Sequence, residues 1–194
     1  HIPMDYQSRL SWALAGGKAE NPILIIEPTV SMWMYNWSGS QGETLGKQGT
    51  AFQNYITELG AAQVAFDLGS EPVMAYKAKV EGARLAVGEC LYDAVVLPPG
   101  LDCLSSSTVS LLQDFVEGGG TIVSLVGVPP YVDGRPSDAV QNVKKQAGDR
   151  WIEKDLTPTQ FKEKWGNGGV LITANKPRNG RVYHFARSFE DGRL

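Results

Sequence analysis

Four carboxylates in this chain stand at or just beyond the ends of short apolar runs: Glu27, Asp67, Glu71 and Asp102. Two carboxyl groups roughly 5–10 Å apart, one held protonated near neutral pH, are what hydrolysis of a glycosidic bond requires. Acidic side chains at such positions also cap helices and face water, so a structural role stands beside the catalytic one. The other chemistry-bearing group is aromatic. Trp33, Tyr35 and Trp37 are interleaved with Met32 and Met34, and in an extended segment that alternation puts three rings on one face and two thioethers on the other. Rings left exposed stack on sugar faces, while buried ones cover a sheet edge or anchor an interface. Tyr131 is a further ligand-binding or interface candidate.

Other chemistries lack parts. Two histidines, His1 and His184, and two cysteines, Cys90 and Cys103, make neither a metal-ligand set nor a disulfide framework. No metal and no cofactor is expected. The loop Glu27-Pro-Thr-Val-Ser-Met-Trp33 has none of the glycines that bring backbone N–H groups up to a phosphate. A net charge of −3 without a lysine or arginine cluster argues against a nucleic-acid partner. No apolar run approaches the roughly 20 residues of a membrane span, so no membrane partner is expected either. His1-Ile-Pro-Met-Asp5 lacks the charged and apolar regions of a signal peptide.

The elements that must position these groups read as alternating strands and helices. Ile23–Ile26, Val64–Phe66, Val95–Leu97 and Thr121–Leu125 are short apolar runs of the kind buried on both faces of a parallel sheet. Phe52, Tyr55, Ile56 and Leu59 form one helical stripe, closed by Gly60. Val109, Leu112, Phe115 and Val116 form another, capped by Ser105–Ser107 and stopped by Gly118–Gly120. Residues 27–37 read as a loop, 72–89 as an insertion of short β segments around Gly82, and 129–136 as an irregular loop. Ser137 opens a short helix to Ala147, and Thr157-Pro-Thr-Gln160 is a capping box for another. Val170–Thr173 and Val182–Phe185 close the list as strands, and His184 lies within one of them rather than on a catalytic loop. The fold class is therefore α/β, a three-layer sandwich with an open, mostly parallel sheet of the flavodoxin or class I glutamine-amidotransferase kind. Amidotransferases of that kind carry a cysteine nucleophile on the turn after the strand matching Thr121–Leu125, and here that turn holds Leu125, Val126 and Gly127.

The run Arg9-Leu-Ser-Trp-Ala-Leu-Ala-Gly-Gly17, a strand ending in Pro28 and a Met-Trp-Met-Tyr35 loop resembles the junction after the catalytic barrel of α-L-rhamnosidase-like glycoside hydrolases of the family 106 type. The same order continues through Phe66-Asp-Leu-Gly-Ser-Glu71, Val80-Glu-Gly82, Leu85-Ala-Val-Gly88 and Tyr92-Asp-Ala-Val-Val-Leu-Pro98, and weakens beyond residue 127. The last of these runs is also similar to the trimerisation domain of family 42 β-galactosidases. Both resemblances imply a non-catalytic, amidotransferase-like domain that follows a (β/α)8 barrel and serves assembly or shapes the substrate cleft. They imply residues 1–20 as the terminal helix of a preceding domain or a linker, and 21–194 as the α/β domain. The implied partners are the catalytic barrel of the same protein, a second copy in a homo-oligomer, and carbohydrate. The implied location is secreted or periplasmic. Catalytic carboxylates in those families sit on the barrel, so no catalytic residue carries over. Two rival readings stay open: a sugar-binding module using the aromatic group, and a hydrolase using a pair among Glu27, Asp67, Glu71 and Asp102.

Overall fold

The computed structural model describes residues 2–36, 42–166, 186–189 and 192–193. Trp37, His184 and the expected strands at 170–173 and 182–185 lie outside the described residues. In chain order the elements are α1 (Ile2–Ala15), β1 (Lys18–Ala19), β2 (Ile23–Ile26), α2 (Thr29–Asn36), α3 (Gly42–Ala61), β3 (Phe66–Gly69) and α4 (Glu71–Lys77). Next come β4 (Ala78–Glu81), β5 (Arg84–Val87), β6 (Cys90–Tyr92), β7 (Ala94–Leu97), β8 (Cys103–Leu104), α5 (Ser106–Glu117) and β9 (Thr121–Ser124). The remainder are β10 (Tyr131–Val132), β11 (Arg135–Pro136), α6 (Ala139–Ala147), β12 (Trp151–Ile152), α7 (Pro158–Trp165), β13 (Arg187–Phe189) and β14 (Gly192–Arg193).

Five strands form the central sheet in the order β12-β9-β7-β2-β3, and every neighbouring pair is parallel. Numbered among themselves along the chain, these strands run 2-1-3-4-5 across the sheet, one of the two common doubly wound orders, with its switch point between β2 and β7. Two-residue alternation divides the core. Leu24, Ile26, Val95, Leu97 and Ile122 face one layer, built from Val109, Leu112, Phe115 and Val116 of α5 and from Val140 and Val143 of α6. Ile23, Ile25, Val96 and Val123 face the other, where Leu59 of α3 and Phe161 and Trp165 of α7 pack. The result is a three-layer α/β sandwich. A strand buried on both faces cannot spare an apolar position, which is why these runs are unbroken.

Caps mark the helix ends as their sequences require. Ser105 accepts the Thr108 N–H at the start of α5, and Thr157 and Gln160 form a reciprocal capping box on α7. Gly118 is needed for contact rather than conformation: a Cβ there would run into the Gly82 carbonyl and approach Val80 to 3.2 Å, so the β4–β5 hairpin rests on the end of α5.

Five expectations are corrected. Residues 29–36 are helical, not a loop: the Met32 N–H donates to the Pro28 carbonyl and opens α2. With helical spacing the aromatic and methionine side chains do not sort onto opposite faces. The helix of the Phe52 stripe continues to Ala61, and Gln63, at φ +60°, takes the left-handed position in place of Gly60. Val64 is held by its N–H to the Leu59 carbonyl, so β3 starts only at Phe66 and Asp67 sits inside the strand. The insertion begins with a helix, α4, before its three-stranded antiparallel sheet β4-β5-β6. The 129–136 loop contains a tight hairpin, Val132 opposite Arg135, turned by Asp133 and Gly134 at φ +48° and +74°.

Candidate functional site

Ligands of doubly wound sheets bind outside the carboxyl ends of the strands at the switch point, here the space between the ends of β2 and β7. A loop and side chains of this protein occupy part of that space. After β7 the chain turns through Pro98-Pro99-Gly100-Leu101, with the Leu101 N–H donating to the Pro98 carbonyl and Gly100 at φ +87°. Gly100 has a second constraint: a Cβ would lie 3.1 Å from the Gln48 carbonyl oxygen, so only glycine lets α3 close on the turn. Ser31, the fully buried residue of α2, stitches the next two residues down. Its hydroxyl donates to the Cys103 carbonyl (3.1 Å) and accepts the Asp102 and Cys103 N–H groups at 2.9 Å each. The donor and both acceptor positions of that hydroxyl are used.

Asp102 is the hub. Its Oδ2 accepts from the Tyr35 hydroxyl on α2 and from Gln48 Nε2 on α3, both at 2.7 Å. Tyr131 arrives alongside, its N–H donating to the Asp102 carbonyl at 3.2 Å. Burial first, then the hydrogen bond to Asp102 and its charge, push the Tyr35 phenol up to about 12. Tyr35, Asp102 and Tyr131 thus come together at the loop after β7.

The other carboxylates are spent elsewhere. Glu71, 3% exposed, begins α4 and uses Oε2 to accept the N–H (2.7 Å) and hydroxyl (2.8 Å) of Ser105, the cap of α5. Its Oε1 is buried without a hydrogen-bond partner. Asp67 does not lie at the carboxyl edge, a further correction. Being the second residue of β3, it faces the amino side of the sheet, where it accepts from Asn21 Nδ2 (2.7 Å) and from the Tyr92 hydroxyl (2.9 Å), residues that precede β2 and close β6. Burial, reinforced by Asp67, raises the Tyr92 phenol well above its ordinary range. Glu27 extends the β2–β3 pairing, its N–H donating to the Gly69 carbonyl at 3.0 Å. No hydrogen bond links any two of these four carboxylates among the described residues.

Nucleophiles fare no better. Cys103 is fully buried in β8 and burial raises its thiol, the wrong direction for a thiolate. At the end of β9, Ser124 is buried with its hydroxyl donating to the Gly127 carbonyl at 2.5 Å. No group of three or more His, Cys, Asp or Glu side chains suited to a metal ion occurs among the described residues, and none of the described helices is long and apolar enough to cross a membrane. Of the aromatic group, Trp33 is 63% exposed and Tyr35 is committed to Asp102. Sequence reasoning missed Ser31 and Gln48. Neither has a local signal, since a buried serine and a helical glutamine declare themselves only through the loop they hold.

No protein-family model matches the chain, and no curated protein matches it. Among solved structures, the rhamnosidase from Novosphingobium sp. PP1Y is similar over 68% of this chain, with a TM-score of 0.48 and 11% identity. This chain spans 14% of the length of that one. A likeness of that size transfers neither activity nor substrate between the two proteins.

Proposed function

We propose that this α/β domain is a non-catalytic accessory unit of a carbohydrate-active glycoside hydrolase, amidotransferase-like in fold, acting in domain assembly, oligomerisation or the shaping of a substrate cleft. One observation carries the reading: at the switch-point crevice Ser31, Asp102, Tyr35 and Gln48 spend their hydrogen bonds on one another and on the loop after β7. A hydrolytic site needs a carboxyl pair facing a substrate-sized opening. Here Asp67, Glu71 and Asp102 hold backbone and side chains in place. The resemblance of residues 5–127 to post-barrel domains supplies the enzyme class. Large exposed side chains on α1, Trp12 (77%) and Tyr6 (67%) among them, supply apolar surface for a catalytic barrel or a second copy. The test is hydrolysis of aryl α-L-rhamnosides and β-galactosides by this chain, with no release above buffer expected.

The sugar-binding alternative is favoured by the exposure of Trp33, a ring free to stack on a pyranose face. Titration with L-rhamnose and galactose, repeated with Trp33→Ala, tests it: heat that saturates and vanishes in the variant supports a binding module centred on α2.

A further inference from the structure

The central sheet ends in two unlike edges. β12, outermost on one side, is two residues long and runs straight into Glu153-Lys154-Asp155, all exposed. Brevity and charge of that kind keep other strands from adding to an edge. β3, outermost on the other side, has neither device. It is four residues long, Phe66-Asp67-Leu68-Gly69, with no lysine and no proline, and among the described residues no strand pairs with its outer side. Its inner neighbour fixes where the peptide groups point. The Gly69 carbonyl accepts the Glu27 N–H from the end of β2, so Gly69 and Asp67 turn their peptide groups toward β2. Alternation along the strand then turns the N–H and C=O of Phe66 and Leu68 outward. The Leu68 side chain shares the α3 face of the sheet with Ile25 and is 42% exposed.

We infer that β3 is the contact strand of a twofold dimer, in which β3 of a second copy adds antiparallel and joins two five-stranded sheets into one. A row of outward backbone donors and acceptors is matched by another extended strand, and the residues of β3 fit a copy of themselves. Ladder bonds across the edge form only between residues that point outward, which leaves two registers near the middle of the strand. With Phe66 opposite Leu68, the two Asp67 carboxylates stand directly across from each other, and like charges so placed destabilise a sheet. With Leu68 opposite Leu68, each Asp67 instead faces a Gly69, which has no side chain to obstruct it. The second register also lets the two exposed leucines cover each other on the α3 face. A twofold axis at Leu68 therefore pairs its N–H and C=O with the same groups of the second copy, the self-complementary contact that such an axis requires. Asn21 and Tyr92 already hold Asp67 within its own chain, so the carboxylate needs no partner from the other copy. Val73 and Tyr76, on the helix that begins two residues beyond β3, leave further apolar surface exposed.

This inference rests on the oligomerisation part of the accessory reading and gives it a surface. Sedimentation equilibrium of the chain across the micromolar range tests it in wild type, Leu68→Lys, Leu68→Cys and Trp12→Ser, with thermal melts to show that each variant folds. The expected result is a concentration-dependent dimer for wild type and Trp12→Ser, with the dissociation constant raised about tenfold or more in Leu68→Lys. Leu68→Cys should become a covalent dimer under oxidised glutathione where wild type, with its own Cys90 and Cys103, does not. A hydrogen-bonded antiparallel pair has its Cα atoms about 5.5 Å apart, within reach of a disulfide. A chain that stays monomeric, a trimer, or a dimer that Leu68→Lys leaves intact overturns the pairing. A dimer lost only in Trp12→Ser overturns it too and moves the contact to α1. Hydrolytic turnover, by contrast, would count against the accessory role and leave the strand pairing untouched.

Discussion

Asp102 shows how one carboxylate can look catalytic in a sequence and be structural in the fold. It follows a strand, it lies beside two tyrosines, and all of that local chemistry is turned inward to hold α2 and α3 on the loop after β7. Replacing it by alanine strands the Tyr35 hydroxyl and the Gln48 amide, with an expected cost of about 1–3 kcal/mol in urea unfolding. The same network sets an alkaline limit. Because folding raises the Tyr35 pKa from the ordinary value near 10 to about 12, the neutral phenol is the form the fold prefers. Its contribution is complete below pH 10 and is lost as pH rises through 12. Absorbance titration should show late-ionising tyrosines, Tyr35 ahead of Tyr55 and Tyr92, and in Asp102→Asn the Tyr35 transition moves toward 10 by the part owed to Asp102 rather than to burial.

At the scale of elements, the buried parallel strands were legible because a run such as Ile23–Ile26 or Ala94–Leu97 has no other place to go. Ser105 and Thr157 were legible because a cap is a local contract between a side chain and the next three N–H groups. α2 was not. Thr29–Asn36 has no strong helix former except its methionines, and Met-Trp-Met-Tyr mimics strand alternation. What makes it a helix is tertiary: Ser31 must reach Asp102 and Cys103, residues distant in sequence. Asp67 was misplaced for a similar reason, since the left-handed Gln63 shifts the start of β3 by two residues. The Glu71–Ser105 clasp joins α4 to α5, so Ser105→Ala, which removes both a cap and a donor to a buried carboxylate, should destabilise by about 1–2 kcal/mol. Gly118→Ala forces the β4–β5 hairpin off the end of α5, and a lower Tm, equivalent to about 1–3 kcal/mol, is expected.

For the whole molecule, the three-layer sandwich is a frame whose usual ligand crevice is partly occupied by its own hydrogen-bonded side chains. The stability that Glu153 draws from Lys144 is present above pH 4.5, its ordinary value, and is lost as pH falls through the lower value it holds in the fold. An acid unfolding profile of Lys144→Met should therefore differ from wild type only on the neutral side, the two converging at low pH. The central claim, that this domain serves a glycoside hydrolase without being its catalyst, is tested most directly by following release of nitrophenol from aryl α-L-rhamnosides and β-galactosides in the presence of the chain. The account predicts release no faster than in buffer for wild type, Asp67→Asn, Glu71→Gln and Asp102→Asn alike. Turnover by wild type that any one of those three substitutions abolishes, in a variant that still melts cooperatively, would contradict it.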